Sequence, residues 1–476
     1  MISTASNLKR SDRSPSNASS ASNLKQSDPP TLNPRQAGKE ILMKSDVPCL
    51  GFILALVIMI IILPTLAEAR WSLTPRVYTQ QQYDDNLFLS ETNQQDDLIT
   101  TISPGIDLKY ETPTGLIDLD YELRRSLYSD FSELDFTGHR GRLDARKDFG
   151  PRFSAGIREL FIKSEDPIEL TGIPIFERPS IRAGTRNRYT RNIVEPDMTF
   201  RFGKYRSIRL GYRNNILSNE REDIADQAEN AANALLTYRF NIHNGIELFY
   251  EYINLDYDPT IPPESPRDMD GNEVRGKYTY YFNPRTSAFL EYRYYERDFE
   301  RETTGYVDYK VHNPSLGFVR DLYENISLSV SGGYTLRHAE DRKDEEAFFG
   351  RTDLSARYKR LRLALYGETG FYEDFTTAEN LGFNEFWRVG LDGSYQFFQR
   401  LWGDAYLYVE KDDYTDIDRT DKYWDIRGTL RYQLLKWLFL SFDYEHFKRD
   451  STAPFESYTD NRYFGRLTVQ YDIAEQ

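Results

Sequence analysis

The chain has 476 residues and a formal net charge of −15, with 28% charged and 14% aromatic residues. A mean hydropathy of −0.66 excludes a multi-helix membrane protein, and the acid excess argues against a nucleic-acid binder, which needs Lys and Arg clustered against phosphate. A β-barrel tolerates such polarity, because only alternate strand residues meet lipid; a soluble all-β protein is the alternative.

Residues 1–42 are rich in Ser, Asn and Pro, and Ala5-Ser6-Asn7-Leu8-Lys9 recurs as Ala21-Ser22-Asn23-Leu24-Lys25. Such a low-complexity leader cannot build a core. Residues 43–69 read as a signal peptide: Lys44, an apolar run from Leu50 to Leu63, then Pro64 and Ala67-Glu68-Ala69, with cleavage expected before Arg70. The run is short of the roughly 20 residues of a spanning helix. Met43 is an alternative start to Met1. The one cysteine, Cys49, precedes the mature region, which therefore has no disulfide and no Cys-based metal site.

From Thr74 to Ile473 apolar and polar residues alternate. Ile117, Leu119, Tyr121 and Leu123 stand against Asp118, Asp120, Glu122 and Arg124; Ile326, Leu328 and Val330 against Ser327, Ser329 and Ser331; and Leu467, Val469 and Tyr471 against Arg466, Thr468 and Gln470. A strand places these parities on opposite faces. Tight breaks fall at Thr112-Pro113-Thr114-Gly115, Asp148 to Pro151, Gly203-Lys204-Tyr205, Asn241 to Gly245, Asn283-Pro284-Arg285, Asp321 to Asn325, Lys359-Arg360, Gln399-Arg400 and Leu435-Lys436. Longer polar segments separate them, among them 84–97, 165–187, 258–272 and 300–305. Short and long breaks alternate strictly, as in an up-and-down antiparallel transmembrane β-barrel with short turns on the periplasmic rim. The hairpin repeat gives about 20 strands, within the range of roughly 18–22, over residues 70–476.

If the apolar parity meets lipid, Arg124, Arg140, Arg142, Arg158, Arg201, Arg209, Arg213, Arg239 and Arg293 line the lumen, as do Arg357, Arg388, Arg431 and Arg466. A lipid-facing Arg near the midplane costs about 2–4 kcal/mol. Asp118, Asp120, Glu122, Glu247, Glu251, Glu291, Asp353, Asp392, Asp404, Asp443 and Glu445 share that face. Two readings stay open: a mutually neutralising lattice that stiffens the wall, or an arginine-rich path for a small anionic solute. The segment from Ser164 to Asn187 is the candidate plug or lid, or else an exposed loop. Acidic runs such as Asp341 to Glu346 are solvated loop faces or sites of divalent-cation contact with anionic lipid. The first strand begins almost at the cleavage site, leaving no room for a folded plug domain.

His139, His243, His312, His338 and His446 show no nucleophile or metal spacing, and no enzyme activity, cofactor or metal is expected. The doublets Asp84-Asp85 and Asp96-Asp97 lack calcium-loop spacing. Tyr83-Asp84-Asp85-Asn86 reads as the top of the first strand, with Asp85 and Asn86 making local turn hydrogen bonds.

The stretches Pro75-Arg76-Val77-Tyr78, Tyr83 to Ser90, Asp97-Leu98-Ile99 and Ser103-Pro104-Gly105-Ile106-Asp107-Leu108 resemble the β-barrel porin type 2 family. The later hairpins are similar to it in rhythm, and the last strand resembles the signal read by the outer-membrane assembly machinery, although it ends in Ala474-Glu475-Gln476. The resemblance implies an outer-membrane barrel of a Gram-negative envelope, with some members accompanying exopolysaccharide export or exosortase-type sorting. The expected function is a porin-like pore, with a non-conducting scaffold barrel as the alternative. Expected partners are outer-membrane lipid, the assembly machinery and an anionic polysaccharide or its export components.

Overall fold

A computed structural model describes residues 70–166, 186–221, 224–258, 268–299, 307–340, 342–374, 382–415 and 417–474. The expected leader and signal peptide, Cys49 and most of the candidate plug segment lie outside these residues.

Alternation becomes strand because each parity has its own environment. The strands are β1 (Arg70–Asp84), β2 (Asp97–Thr112), β3 (Gly115–Tyr128), β4 (Phe136–Asp148), β5 (Phe153–Ser164), β6 (Tyr189–Gly203), β7 (Arg206–Asn219), β8 (Asp226–Arg239), β9 (Asn244–Asp258) and β10 (Met269–Asn283). They continue as β11 (Thr286–Phe299), β12 (Tyr309–Tyr323), β13 (Ile326–Ala339), β14 (Glu345–Arg357), β15 (Leu361–Asp374), β16 (Gly382–Phe398), β17 (Leu401–Tyr414), β18 (Arg419–Leu435), β19 (Leu438–Ser451) and β20 (Tyr458–Gln470). After Tyr471-Asp472 the last strand resumes at Ile473–Ala474 and pairs again with β1. Each strand pairs antiparallel with its chain neighbours, and β20 pairs with β1 from Arg76↔Gln470 to Asp84↔Arg462. The sheet is therefore a closed up-and-down barrel of 20 strands, as the hairpin repeat indicated.

All nine tight breaks are turns on one rim. In five of these hairpins the register shifts by one residue just before the turn, at Arg201/Gly203, Tyr281/Asn283, Asp321/Tyr323, Gln396/Phe398 and Gln433/Leu435. Such a bulge adds twist and leaves a two-residue turn. Strands run from 12 to 17 residues, whereas crossing a bilayer takes roughly 9–11. The surplus lets strand ends project past the hydrocarbon.

The outward parity is banded. Leu210, Leu248, Leu290, Leu316 and Val330 form an exposed aliphatic belt, Leu316 being 64% exposed. On the long-loop side the same parity continues as Tyr212, Tyr250, Tyr252, Tyr292, Tyr334 and Trp387. Toward the short turns come Phe200, Phe202, Tyr280 and Phe282, and the Phe202, Tyr238 and Phe240 rings pack in series. An apolar band between two aromatic girdles is the lipid-facing pattern of a transmembrane barrel.

The seam carries a clasp that reading from local turn chemistry missed. Asp85 does not bond locally: its Oδ1 accepts the Asn461 backbone N–H at 2.7 Å and its Oδ2 the Asn461 Nδ2 at 2.7 Å. Asn86 does turn the chain locally, its Oδ1 accepting Ser90 N–H at 2.9 Å, but its Nδ2 also donates to Thr459 O at 2.9 Å. Both residues thus bind the first strand to the last. Replacing Asp85 by Ala removes two bonds at the closure and should cost about 1–3 kcal/mol. The folded band of heat-modifiable gel migration should then be lost at a lower temperature than in a Thr79→Ala control, and equal temperatures would contradict the clasp.

Candidate functional site

The interior is the face opposite the aliphatic belt, and each strand sends every second residue there. Seven of the nine arginines singled out from the sequence meet a carboxylate. Arg124 pairs with Glu122 at 2.6 Å, Arg142 with Asp118 at 3.8 Å, Arg158 with Glu195 at 3.1 Å and Arg201 with Asp148 at 3.6 Å. Arg209 pairs with Asp197 at 3.3 Å, Arg213 with Glu229 at 2.5 Å and Arg293 with Glu273 at 2.7 Å. Arg140 stands opposite Glu122 in register and lines a cavity of about 300 Å³ with Tyr78, Gln80 and Glu445. Arg239 instead lies 4.0 Å from the Tyr281 ring centre and donates to Asn241 O at 3.1 Å, near the short-turn rim. Sequence parity reveals the face of these side chains; pairing depends on register, which brings Arg213 beside a residue 16 positions away.

Burial inside is graded along the axis. Inward residues at the long-loop ends are closed off: Arg462, Asp460, Asp84, Arg449, Asp421 and Asp412 are all at most 1% exposed. Toward the short turns the same face is wet, with the Arg142 and Arg431 side chains 62% and 53% exposed. A vestibule of about 620 Å³ opens there, lined by Arg362, Trp402, Asp404, Arg431, Asp443 and Arg466 among others.

Two packed groups occupy the long-loop half. In the first, Arg462 Nε meets Asp460 at 2.7 Å and Asp84 at 3.3 Å while its Nη1 reaches Asp166 at 3.1 Å. Asp166 begins the segment after β5, and its neighbour Glu165 accepts a hydrogen bond from the Tyr128 hydroxyl. Burial raises the Glu165 carboxyl above its ordinary pKa, opposed by the Arg186 charge and the Tyr128 bond.

In the second group, Arg297 on β11 reaches Glu373 on β15 at 3.1 Å, and the Tyr309 hydroxyl donates to the same carboxylate at 2.6 Å. The Arg337 guanidinium lies 4.2 Å from the Phe383 ring centre, and Leu255, Met269, Tyr295 and Val311 pack around them. Glu373 is five residues from Glu368, yet Glu368 is also inward, on Arg388 at 2.5 Å. An odd spacing cannot keep one face in a regular strand. The break is at Gly370, whose φ of 153° favours glycine. Opposite Glu373 on β16, Phe383 is fully buried beside Asn384, whereas Asn384, Phe386 and Arg388 keep the regular alternation. Alternation alone places Phe371 and Glu373 outside; these are the interior residues that parity misses, and Gly370 is the signal.

Other polar groups are spent on structure. Asp97 accepts backbone N–H groups of Ser129 at 3.0 Å and Asp130 at 3.1 Å, fixing the β3–β4 connection. His139 meets the Tyr121 hydroxyl at 2.7 Å, His312 that of Tyr292 at 2.7 Å, His446 the Asn461 Oδ1 at 2.8 Å and His243 the Tyr281 carbonyl at 2.7 Å. His338 pairs with Asp344 at 3.0 Å. Among the described residues no group of three or more His, Cys, Asp or Glu could hold a metal ion.

A closed 20-stranded sheet with lipid-facing girdles and an ionic interior defines a porin-like transmembrane barrel of the outer-membrane class. Residues 244–471, spanning β9 to β20, match the family described as "Putative beta-barrel porin 2". That is the family the opening strands resemble, although the matched region excludes them. No curated protein matches the chain. The siderophore receptor PirA from Acinetobacter baumannii is 9% identical with a TM-score of 0.50, covering 86% of this chain and 81% of that one. A mutant of the ferric enterobactin receptor PfeA from Pseudomonas aeruginosa, in complex with enterobactin, is 10% identical with a TM-score of 0.50, covering 85% of this chain and 82% of that one. Both likenesses concern the barrel fold alone.

The axial gradient sets unequal weights for the ion pairs. Arg462→Ala strands the buried carboxylates of Asp84 and Asp460 and should cost about 3–5 kcal/mol. Arg142→Ala, in water, should cost less than about 1 kcal/mol. Urea unfolding of the two variants in lipid checks this, and equal losses would contradict the gradient.

Proposed function

We propose that the protein is a pore of the bacterial outer membrane that passes small anionic solutes. The supporting observation is the wet vestibule of about 620 Å³ on the short-turn side of a 20-stranded barrel; barrels of roughly 16–18 strands already enclose an aqueous channel. In this reading the chain is exported on residues 43–69, is inserted by the outer-membrane assembly machinery and has no catalytic role. A link to exopolysaccharide export rests on the family resemblance alone.

A non-conducting scaffold barrel is the second reading, and it is favoured by the packing of Arg297, Glu373, Tyr309 and Phe383 across the long-loop half. Such contacts narrow the path on that side, so conductance should be small for so wide a barrel. Planar-bilayer recording of refolded protein separates the readings. The pore predicts a small anion-selective conductance that rises severalfold in Phe383→Ala, since that change opens the packed group. A silent bilayer for both proteins removes the pore and leaves the scaffold.

A further inference from the structure

The short-turn mouth of the vestibule holds an arrangement that the paired wall above does not explain. Arg357, the last residue of β14, stands directly across the sheet from Arg362, near the start of β15. Like charges at opposed positions repel, with Cβ atoms only about 4.5–5.5 Å apart. Both side chains are exposed, and no carboxylate among the described residues forms an ion pair with either guanidinium. Arg362 lines the vestibule, which fixes its face as inward; its cross-strand neighbour Arg357 shares that face. The turn between them adds Lys359 and Arg360, and the next turn on the rim adds Arg400.

Three of the acids nearby are already engaged. Asp353, on the same face of β14, binds Arg351 at 2.9 Å; Asp404 lies 3.7 Å from Arg431; Asp443 accepts from the Thr429 hydroxyl at 2.6 Å. Asp392 stands two residues up β16 from Ser394, the cross-strand partner of Arg362. Two exposed guanidiniums at opposed positions of one face match a polyvalent anion whose oxygens accept from both. Trp402 and Phe439 supply apolar walls beside them, and the Ser394, Ser441 and Thr468 hydroxyls supply neutral donors.

We propose that Arg357 and Arg362 form an anion-binding site at the short-turn mouth of the barrel, taking a carboxylate- or phosphate-bearing solute whose body lies in the vestibule against Trp402. Arg431 and Arg466 continue the positive wall inward from it. That the bound anion then crosses the barrel rests on the pore reading; its binding does not.

Calorimetric titration of the folded full-length barrel in detergent with citrate tests the site, with sucrose as the neutral comparison. Citrate should bind and sucrose should not. Arg357→Gln with Arg362→Gln should weaken citrate by on the order of tenfold or more, as expected for two charge-assisted contacts. Arg357→Lys with Arg362→Lys, and Arg320→Gln on the same rim, should keep most of the affinity. Unchanged citrate affinity in the double Gln variant, or no citrate binding by the unsubstituted barrel, overturns the proposal. A silent bilayer with citrate binding intact would remove the pore alone.

Discussion

Inside a bilayer no water is available to pair a backbone N–H or C=O, so a sheet can cross only when its first and last strands meet. The β1–β20 seam is therefore the contact on which the remaining structure depends, and the chain reinforces it beyond the ladder. Asp85 and Asn86 grip Asn461 and Thr459 across the whole length of the barrel sequence, and Asp84 meets Arg462 at the same level. A carboxylate that takes both a backbone and a side-chain N–H from one residue fixes register as well as closure.

Closure divides the side chains between two solvents, and the interior then divides again along the axis. Near the short turns, charges stay in water, and their pairs at 3.6–3.8 Å contribute little stability. Near the long loops the strands outrun the bilayer, and burial of Arg462, Arg449 and their acids turns the same chemistry into a packed ionic network. One wall thus provides an open vestibule at one end and a packed constriction at the other.

Much of the fold was legible because strand parity and turn chemistry are local. Alternation such as Ile326 to Val330 and breaks such as Asn283-Pro284-Arg285 sufficed for strand count, direction and the order of short and long connections. Interior pairing was not legible, since Arg297 meets Glu373 only through the curvature of four intervening hairpin steps. Nor was the change of face after Gly370, where one backbone dihedral overrides the parity that governs the rest of β15. Asp85 looked like a turn residue because its partner lies 376 residues away. The family match likewise falls on residues 244–471 rather than on the opening strands, as expected when every hairpin obeys the same alternation.

The central claim is that consecutive residues of one strand face lipid and an enclosed aqueous interior in turn. β11 tests it most directly, because the only native cysteine is Cys49. Single cysteines at Leu290, Glu291, Tyr292 and Arg293 in a Cys49→Ser background can be spin-labelled in liposomes and their collisions with oxygen and with a water-soluble nickel chelate compared. Oxygen should dominate at 290 and 292 and the chelate at 291 and 293. Equal accessibility along the strand, or the opposite phase, would contradict the account.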